Sequence, residues 1–180
     1  LSARIMEEQR RVVKDDSLVL TQEKVCEMKL LESCMKEVLR MHSACVGTPR
    51  IAKEDLNIEG YLVPKGAQVA PVLTAVHMND KYYDNPAEFN PERFLGNKAH
   101  NFLGYGGGQH PCSAKNWTLV MVRAALSYIL RSIHSYEFLH EETKMRILGF
   151  NRVYSSNVRG VIEPIVPSRA IVAPVAELTA

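Results

Sequence analysis

Residues Asn101 to Trp117 read NFLGYGGGQHPCSAKNW, and the fold turns on this stretch. Gly104, Gly106, Gly107 and Gly108 lead to Pro111 and then Cys112, and the following KNWTLVMVRAALSYILRSIHSYEFL predicts one long helix. Glycines supply positive φ and allow close backbone approach to a bulky neighbour. A thiol just ahead of a helix start can be held as thiolate by the unpaired N–H groups there. The stretch therefore predicts a loop that presents a sulfur ligand or a nucleophile. A phosphate loop fails on spacing, because Gln109 stands where Gly104-x-Gly106 needs its third glycine and no Gly-Lys-Ser/Thr follows. A Cys–His nucleophile using His110 or His134 is compatible with the sequence, although no residue stands out as the orienting third group. A lone cysteine is most often a small buried hydrophobe, and Cys26, Cys34 and Cys45 read that way.

Upstream, Leu1 to about Val13 predicts a helix with an apolar stripe of Leu1, Ile5, Met6 and Val12. Thr21 is an N-cap for QEKVCEM. The next helix, KLLESCMKEVLRMHS, carries so many apolar positions that it should be mostly buried, which makes its charges informative. Glu37 and Arg40 lie at i,i+3 on one face; alone, such a pair is worth a few tenths of a kcal/mol. From Gly47, alternating segments predict a small antiparallel sheet with a hairpin at Pro64–Gly66, then Val69–His77 as a strand passing into a short helix. KYYDNPAEFNPERFLGNK reads as a proline-pinned loop with Asx caps at Asp84 and Asn90, and with Arg93 packed between Phe89 and Phe94. His42, His77 and His100 read as surface or loop histidines. MRILGF, RVYSS and VRGVIEPIV read as short strands, and IVAPVAELTA as a poorly ordered end.

Hydrophobic residues make up 46% of the 180 and charged residues 23%, the balance of an ordinary globular chain. A formal net charge of +2 implies no nucleic-acid partner. Four cysteines without a C-x-x-C pair argue against zinc and against a disulfide framework. No run is long and apolar enough to span a membrane. The chain opens on Leu1 inside a helix, so a fragment or processed product is expected.

Glu37-Val-Leu-Arg40, Pro91-Glu-Arg93-Phe94 and Tyr105-Gly-Gly-Gly-Gln-His-Pro-Cys112 follow in fixed order. Together, with the intervening TPRIAKEDLNIEGYLVPKG, they make residues 1 to about 165 resemble the C-terminal half of the cytochrome P450 superfamily of haem-thiolate monooxygenases. The resemblance implies a mainly α fold with a small antiparallel β-sheet (α+β), the C-terminal portion of that family's fold. It divides the single partial domain into helices over 1–43, a small sheet over 44–80, the proline and haem loops over 81–111, a long helix over 112–139, and strands with a tail over 140–180. It implies haem b as cofactor with iron on Cys112. His110 and Arg50 stand at propionate positions, Gly106, Gly108 and Ala114 against the cofactor, and Glu37, Arg40 and Arg93 form a buried charge network. No catalytic residue is assigned, because the family's oxygen-activating helix lies upstream of these motifs. The implied partners are a small apolar organic substrate and an electron-donating reductase, of flavoprotein or ferredoxin type. The implied parent meets the endoplasmic reticulum membrane, on its cytoplasmic side, only through a segment outside this sequence. Ala44–Thr48 and Ser155–Asn157 match turns where the family touches substrate. Tyr105, Gln109, Pro111 and Ala114 depart from the usual pattern, where Phe, a basic residue, a non-proline and Gly are common. A catalytically silent, truncated haem-binding or structural fragment is the alternative.

Overall fold

An amphipathic helix is held chiefly by the face it buries. The computed structural model of the protein describes residues 1–14, 19–45, 47–96, 101–140, 143–148, 151–156 and 159–164. Helix α1 spans Ser2–Val12, α2 Gln22–Glu27 and α3 Lys29–Met41. Val12 and Val13 meet Met28 and Leu31 in the core cluster, against which Ile5, Leu20, Leu126 and Leu130 pack. Of the apolar stripe expected from Leu1, Val12 and Ile5 do face the core, but Leu1 is 51% exposed, and Glu8 and Gln9 are buried as well. The reason lies in the polar work of this face. Met28, at the start of α3, has no side-chain cap of its own. The Glu8 carboxylate replaces it, accepting from the Leu30 N–H at 2.7 Å and the Leu31 N–H at 3.0 Å. Two of the four orphan donors of α3 are thereby satisfied from another helix. Thr21 caps α2 as expected, accepting from the Lys24 N–H at 3.4 Å.

The sheet is smaller and differently turned than the sequence suggests. Strand β1 (Arg50–Ile51) pairs antiparallel with β4 (Gln68–Val69), and β2 (Leu56–Ile58) with β3 (Tyr61–Val63). The hairpin turn is therefore Glu59–Gly60, not Pro64–Gly66. Both turn residues have positive φ, 47° and 90°, the geometry of a two-residue turn that matches strand twist. Asn57 Oδ1 accepts from the Gly60 N–H at 2.8 Å and steadies the turn. Pro64–Gly66 instead connects β3 to β4, closing a turn in which the Ala67 N–H donates to the Pro64 carbonyl at 3.0 Å.

Helix α4 (Leu73–His77) and a 3₁₀ turn at Pro91–Phe94 follow. Asn90 Oδ1 accepts from the Glu92 N–H at 3.1 Å, the Asx cap anticipated there. Helix α5 spans Lys115–Ser132, and β5 (Ile133–His140) continues from it. The helix expected to reach residue 139 thus stops at 132. Ile-His-Ser-Tyr-Glu-Phe is β-branched and aromatic, and its backbone pairs with β8 (Arg159–Pro164), Tyr136 opposite Ile162. Strands β6 (Thr143–Leu148) and β7 (Asn151–Ser156) form a hairpin. Ser155 and Ser156 lie in β7 rather than in a turn, because they pair with Lys144 and Thr143. Asn157 and the IVAPVAELTA segment fall outside the described residues.

One ion pair joins α3 to α5. Glu32 binds Lys36 Nζ at 2.6 Å and Arg123 Nη1 at 2.7 Å. Arg123 is buried and also donates from Nε to the Leu119 carbonyl at 2.7 Å. Removing the remote cap is the sharpest test of the α1–α3 packing. Glu8→Ala should lower unfolding stability in urea by roughly 1–2 kcal/mol, the cost of a lost N-cap. An unchanged midpoint would mean that solvent replaces the carboxylate.

Candidate functional site

Glu37 and Arg40 are both fully buried on α3. The i,i+3 spacing lets them meet in a bidentate fork: Arg40 Nε to Glu37 Oε2 at 2.8 Å and Arg40 Nη2 to Glu37 Oε1 at 2.9 Å. The remaining Arg40 donors reach across the fold. Nη1 donates to the His77 carbonyl at 2.8 Å and to Met78 Sδ at 3.8 Å, and Nη2 to the Glu88 carbonyl at 3.2 Å. All five guanidinium N–H groups are thus directed at acceptors. Its carbon also lies 5.1 Å from the Tyr83 ring centroid.

Glu37 is equally committed. Its Oε1 accepts from the Asn90 N–H at 2.8 Å and from Arg93 Nε at 3.3 Å. Arg93 Nη2 donates in turn to the Asn85 carbonyl at 3.0 Å. Glu37, Arg40 and Arg93 therefore form one network that binds α3 to α4 and to the proline loop. Burial raises the Glu37 pKa, but hydrogen bonds from Arg40 and the Asn90 N–H, with both guanidiniums, outweigh it and hold it below 4.5.

The cysteine loop rests on this network through a residue that the sequence places at the surface or in a loop. His77 is fully buried. Its Nε2 accepts from the Leu103 N–H at 2.9 Å, at the mouth of the loop. The ring stacks on Phe102 at 5.7 Å and meets Tyr83 edge-on at 6.2 Å. Burial, then the Arg40 charge, lowers its pKa from 6.5 to about 4, so the ring is neutral at neutral pH. The missed signal was spacing. Leu73 and His77 lie at i,i+4 on α4, and both are buried. His100 falls outside the described residues, and His42 is exposed as expected.

Beyond Leu103 the loop holds itself. The Gly106 N–H donates to the Leu103 carbonyl and the Cys112 N–H to the Tyr105 carbonyl, both at 2.8 Å. The glycines serve two different needs. Gly106 and Gly108 have φ of 74° and 73°, a left-handed backbone that L side chains rarely adopt. Gly104 instead has no room: a Cβ there would run into the Phe102 ring. Tyr105 meets Phe102 edge-on at 6.1 Å, and its hydroxyl is buried with no hydrogen-bond partner among the described residues.

Cys112 closes the loop and is exposed. Its carbonyl accepts from the Lys115 N–H at 3.3 Å, where α5 begins. His110 and Ala114 flank it and are exposed. Arg50 lies at the start of β1, its Nη1 on the Pro49 carbonyl at 2.9 Å. Among the described residues no three His, Cys, Asp or Glu side chains gather as a metal site. An exposed thiol on an open loop suits a single soft donor to an ion whose other ligands arrive with a bound group. A haem would fit that donor set.

Comparison with known proteins agrees with the geometry. The family model described as Cytochrome P450 matches residues 1–155. Beta-amyrin 11-oxidase of Glycyrrhiza uralensis is 36% identical over 115 residues, covering 63% of this chain and 23% of that protein. Cytochrome P450 4g15 of Drosophila melanogaster is 31% identical over 145 residues, covering 77% of this chain and 25% of that protein. The chain thus spans about a quarter of the length of these curated relatives. A cytochrome P450DA haem domain superposes with a TM-score of 0.80 at 23% identity, covering 92% of this chain and 37% of that one. The retinoic acid-bound cyanobacterial CYP120A1 gives 0.79 at 23% identity, covering 91% and 38%. The fold is that portion of a haem domain. Among the described residues no helix is long and apolar enough to cross a membrane.

Three outcomes follow from this geometry. Glu37→Ala strands the fully buried Arg40 guanidinium and unpairs the half-buried Arg93 beside it, and should cost about 3–5 kcal/mol by urea unfolding. Acid should act in the same direction. Glu37 contributes stability above its unfolded pKa near 4.5, and that contribution is lost as pH falls through the lower folded value. Neutral His77 adds a penalty that is absent above 6.5 and grows as pH falls towards 4. Urea midpoints taken from neutral pH downwards should therefore decline, and His77→Gln should flatten the upper part of that decline. Tyr105→Phe removes a buried hydroxyl that has no partner among the described residues and should raise stability by about 1 kcal/mol; a fall would reveal a partner for the hydroxyl.

Proposed function

The chain belongs to the cytochrome P450 family, and on that premise we propose that Cys112 is the proximal thiolate ligand of a haem b in a monooxygenase. Family and fold support a haem-thiolate monooxygenase kind of function. The haem, when bound, supplies the O₂ activation that inserts one oxygen atom into an apolar organic substrate. The residues of this chain hold and tune it. Cys112 donates sulfur. The left-handed turns at Gly106 and Gly108 shape the loop that carries it, and Ala114 would lie against the cofactor. His110 and Arg50 supply cationic or N–H donors to the propionates. Glu37, Arg40 and Arg93 touch neither cofactor nor substrate; they fix the loop's support.

The observation that carries this reading is the exposed Cys112 thiol on a loop tied to a buried charge network. Electrons would come from a reductase of flavoprotein or ferredoxin type. The substrate would be a small apolar molecule, touched in part at Ala44–Thr48. Attachment to the cytoplasmic side of the endoplasmic reticulum would use a segment outside this chain. A second reading is a haem-binding chain without turnover. It is favoured by Pro111, which removes one N–H from the loop just before the cysteine, and by Ala114, which adds a methyl just after it.

The ferrous–carbon monoxide difference spectrum of the complete protein tests the ligand. The wild type should give the thiolate-type Soret band, and Cys112→Ala should lose it. Survival of the band in Cys112→Ala overturns the assignment. Substrate-dependent NADPH consumption with a reductase separates the two readings, and its absence favours the silent chain.

A further inference from the structure

We propose that His77 is a positioning residue for the thiolate: as a neutral imidazole it accepts the Leu103 N–H and fixes the loop that carries Cys112. The inference rests on the reading of Cys112 as the haem ligand. The observations form a continuous path. Arg40 Nη1 grips the His77 carbonyl at 2.8 Å, so the backbone of α4 is fixed by the Glu37–Arg40 pair. His77 Nε2 then accepts from the Leu103 N–H at 2.9 Å. The Leu103 carbonyl accepts from the Gly106 N–H, and the Tyr105 carbonyl from the Cys112 N–H, both at 2.8 Å. Leu103 thus uses its N–H on the histidine and its carbonyl on the loop, and it is the junction between them.

The tautomer follows from that bond. Nε2 accepts, so the ring proton sits on Nδ1. That N–H is buried with no partner among the described residues. A histidine kept only for packing gains nothing from an unpaired buried donor, and a phenyl ring would stack on Phe102 as well. What phenylalanine cannot do is accept from Leu103. The residue type is therefore explained by its acceptor, not by its volume. The lowered pKa agrees, since a protonated ring would turn a donor towards the Leu103 N–H.

The test compares His77→Phe, which keeps the stacking area and removes the acceptor, with His77→Gln, whose amide oxygen can take the place of Nε2. Both are made in the complete, haem-loaded protein. Amide hydrogen exchange at Leu103 and Gly106 is read together with the ferrous–carbon monoxide spectrum. In His77→Phe, exchange at both amides should accelerate about tenfold or more, and part of the thiolate-type band should shift to the thiol-type position. His77→Gln should restore both readouts towards wild type, a rescue that a packing role would not produce. His77→Met carries the same comparison should the phenyl ring fail to pack. Wild-type exchange and an unshifted band in the acceptor-less variants overturn the inference while leaving Cys112 as ligand. A wild-type protein without any thiolate-type band removes the Cys112 reading, and this inference with it.

Discussion

The structure depends on one buried ion pair, Glu37 with Arg40. Burying two charges is costly, and the cost is offset only when every donor and lone pair finds a partner. Here that demand is met by backbone. Arg40 ends on the carbonyls of His77 and Glu88, and Glu37 on the N–H of Asn90. The pair therefore cannot be satisfied unless α4 and the proline loop are in place around α3. Arg93 completes the arrangement from the 3₁₀ turn, bracing Asn85 as well as Glu37. What reads on paper as a weak helical pair acts as a condition on the positions of three separate segments.

The consequence for function runs through α4. With the His77 backbone fixed by Arg40, its ring is brought to the mouth of the glycine loop, and Phe102 is sandwiched between that ring, Phe94 and Tyr105. Crowding by Phe102 explains Gly104, whereas backbone sign explains Gly106 and Gly108. A loop of this kind holds a thiol outward without using the thiol itself as a packing group. A second, independent tie, Glu32 to Arg123, sets α5 against α3 behind the cysteine. Cys112 is thus held from both sides, by the loop before it and the helix after it.

Much of this was legible in the residues. Glu37, Arg40 and Cys112 announce themselves by type and order, and Thr21 and Asn90 by cap chemistry. The parts that were not legible share a cause: they depend on partners distant in sequence. Glu8 lies inside because α3 starts without a cap of its own, which α1's own periodicity does not reveal. The hairpin turned at Glu59–Gly60 because β4 was claimed by β1, leaving Pro64–Gly66 as a connection. The pattern after Ser132 continued as helix until β8 supplied a competing ladder. His77 looked like a loop histidine because its two partners, Leu103 and the Arg40 guanidinium, are 26 and 37 residues away.

The central claim is that this buried arrangement delivers one cysteine sulfur to iron. Iron-edge X-ray absorption on the haem-loaded complete protein tests it most directly. A single sulfur scatterer at bonding distance in the wild type, replaced by a light-atom ligand in Cys112→Ser, is the predicted result. A sulfur shell that persists in Cys112→Ser, or an iron with only nitrogen and oxygen neighbours in the wild type, would contradict it.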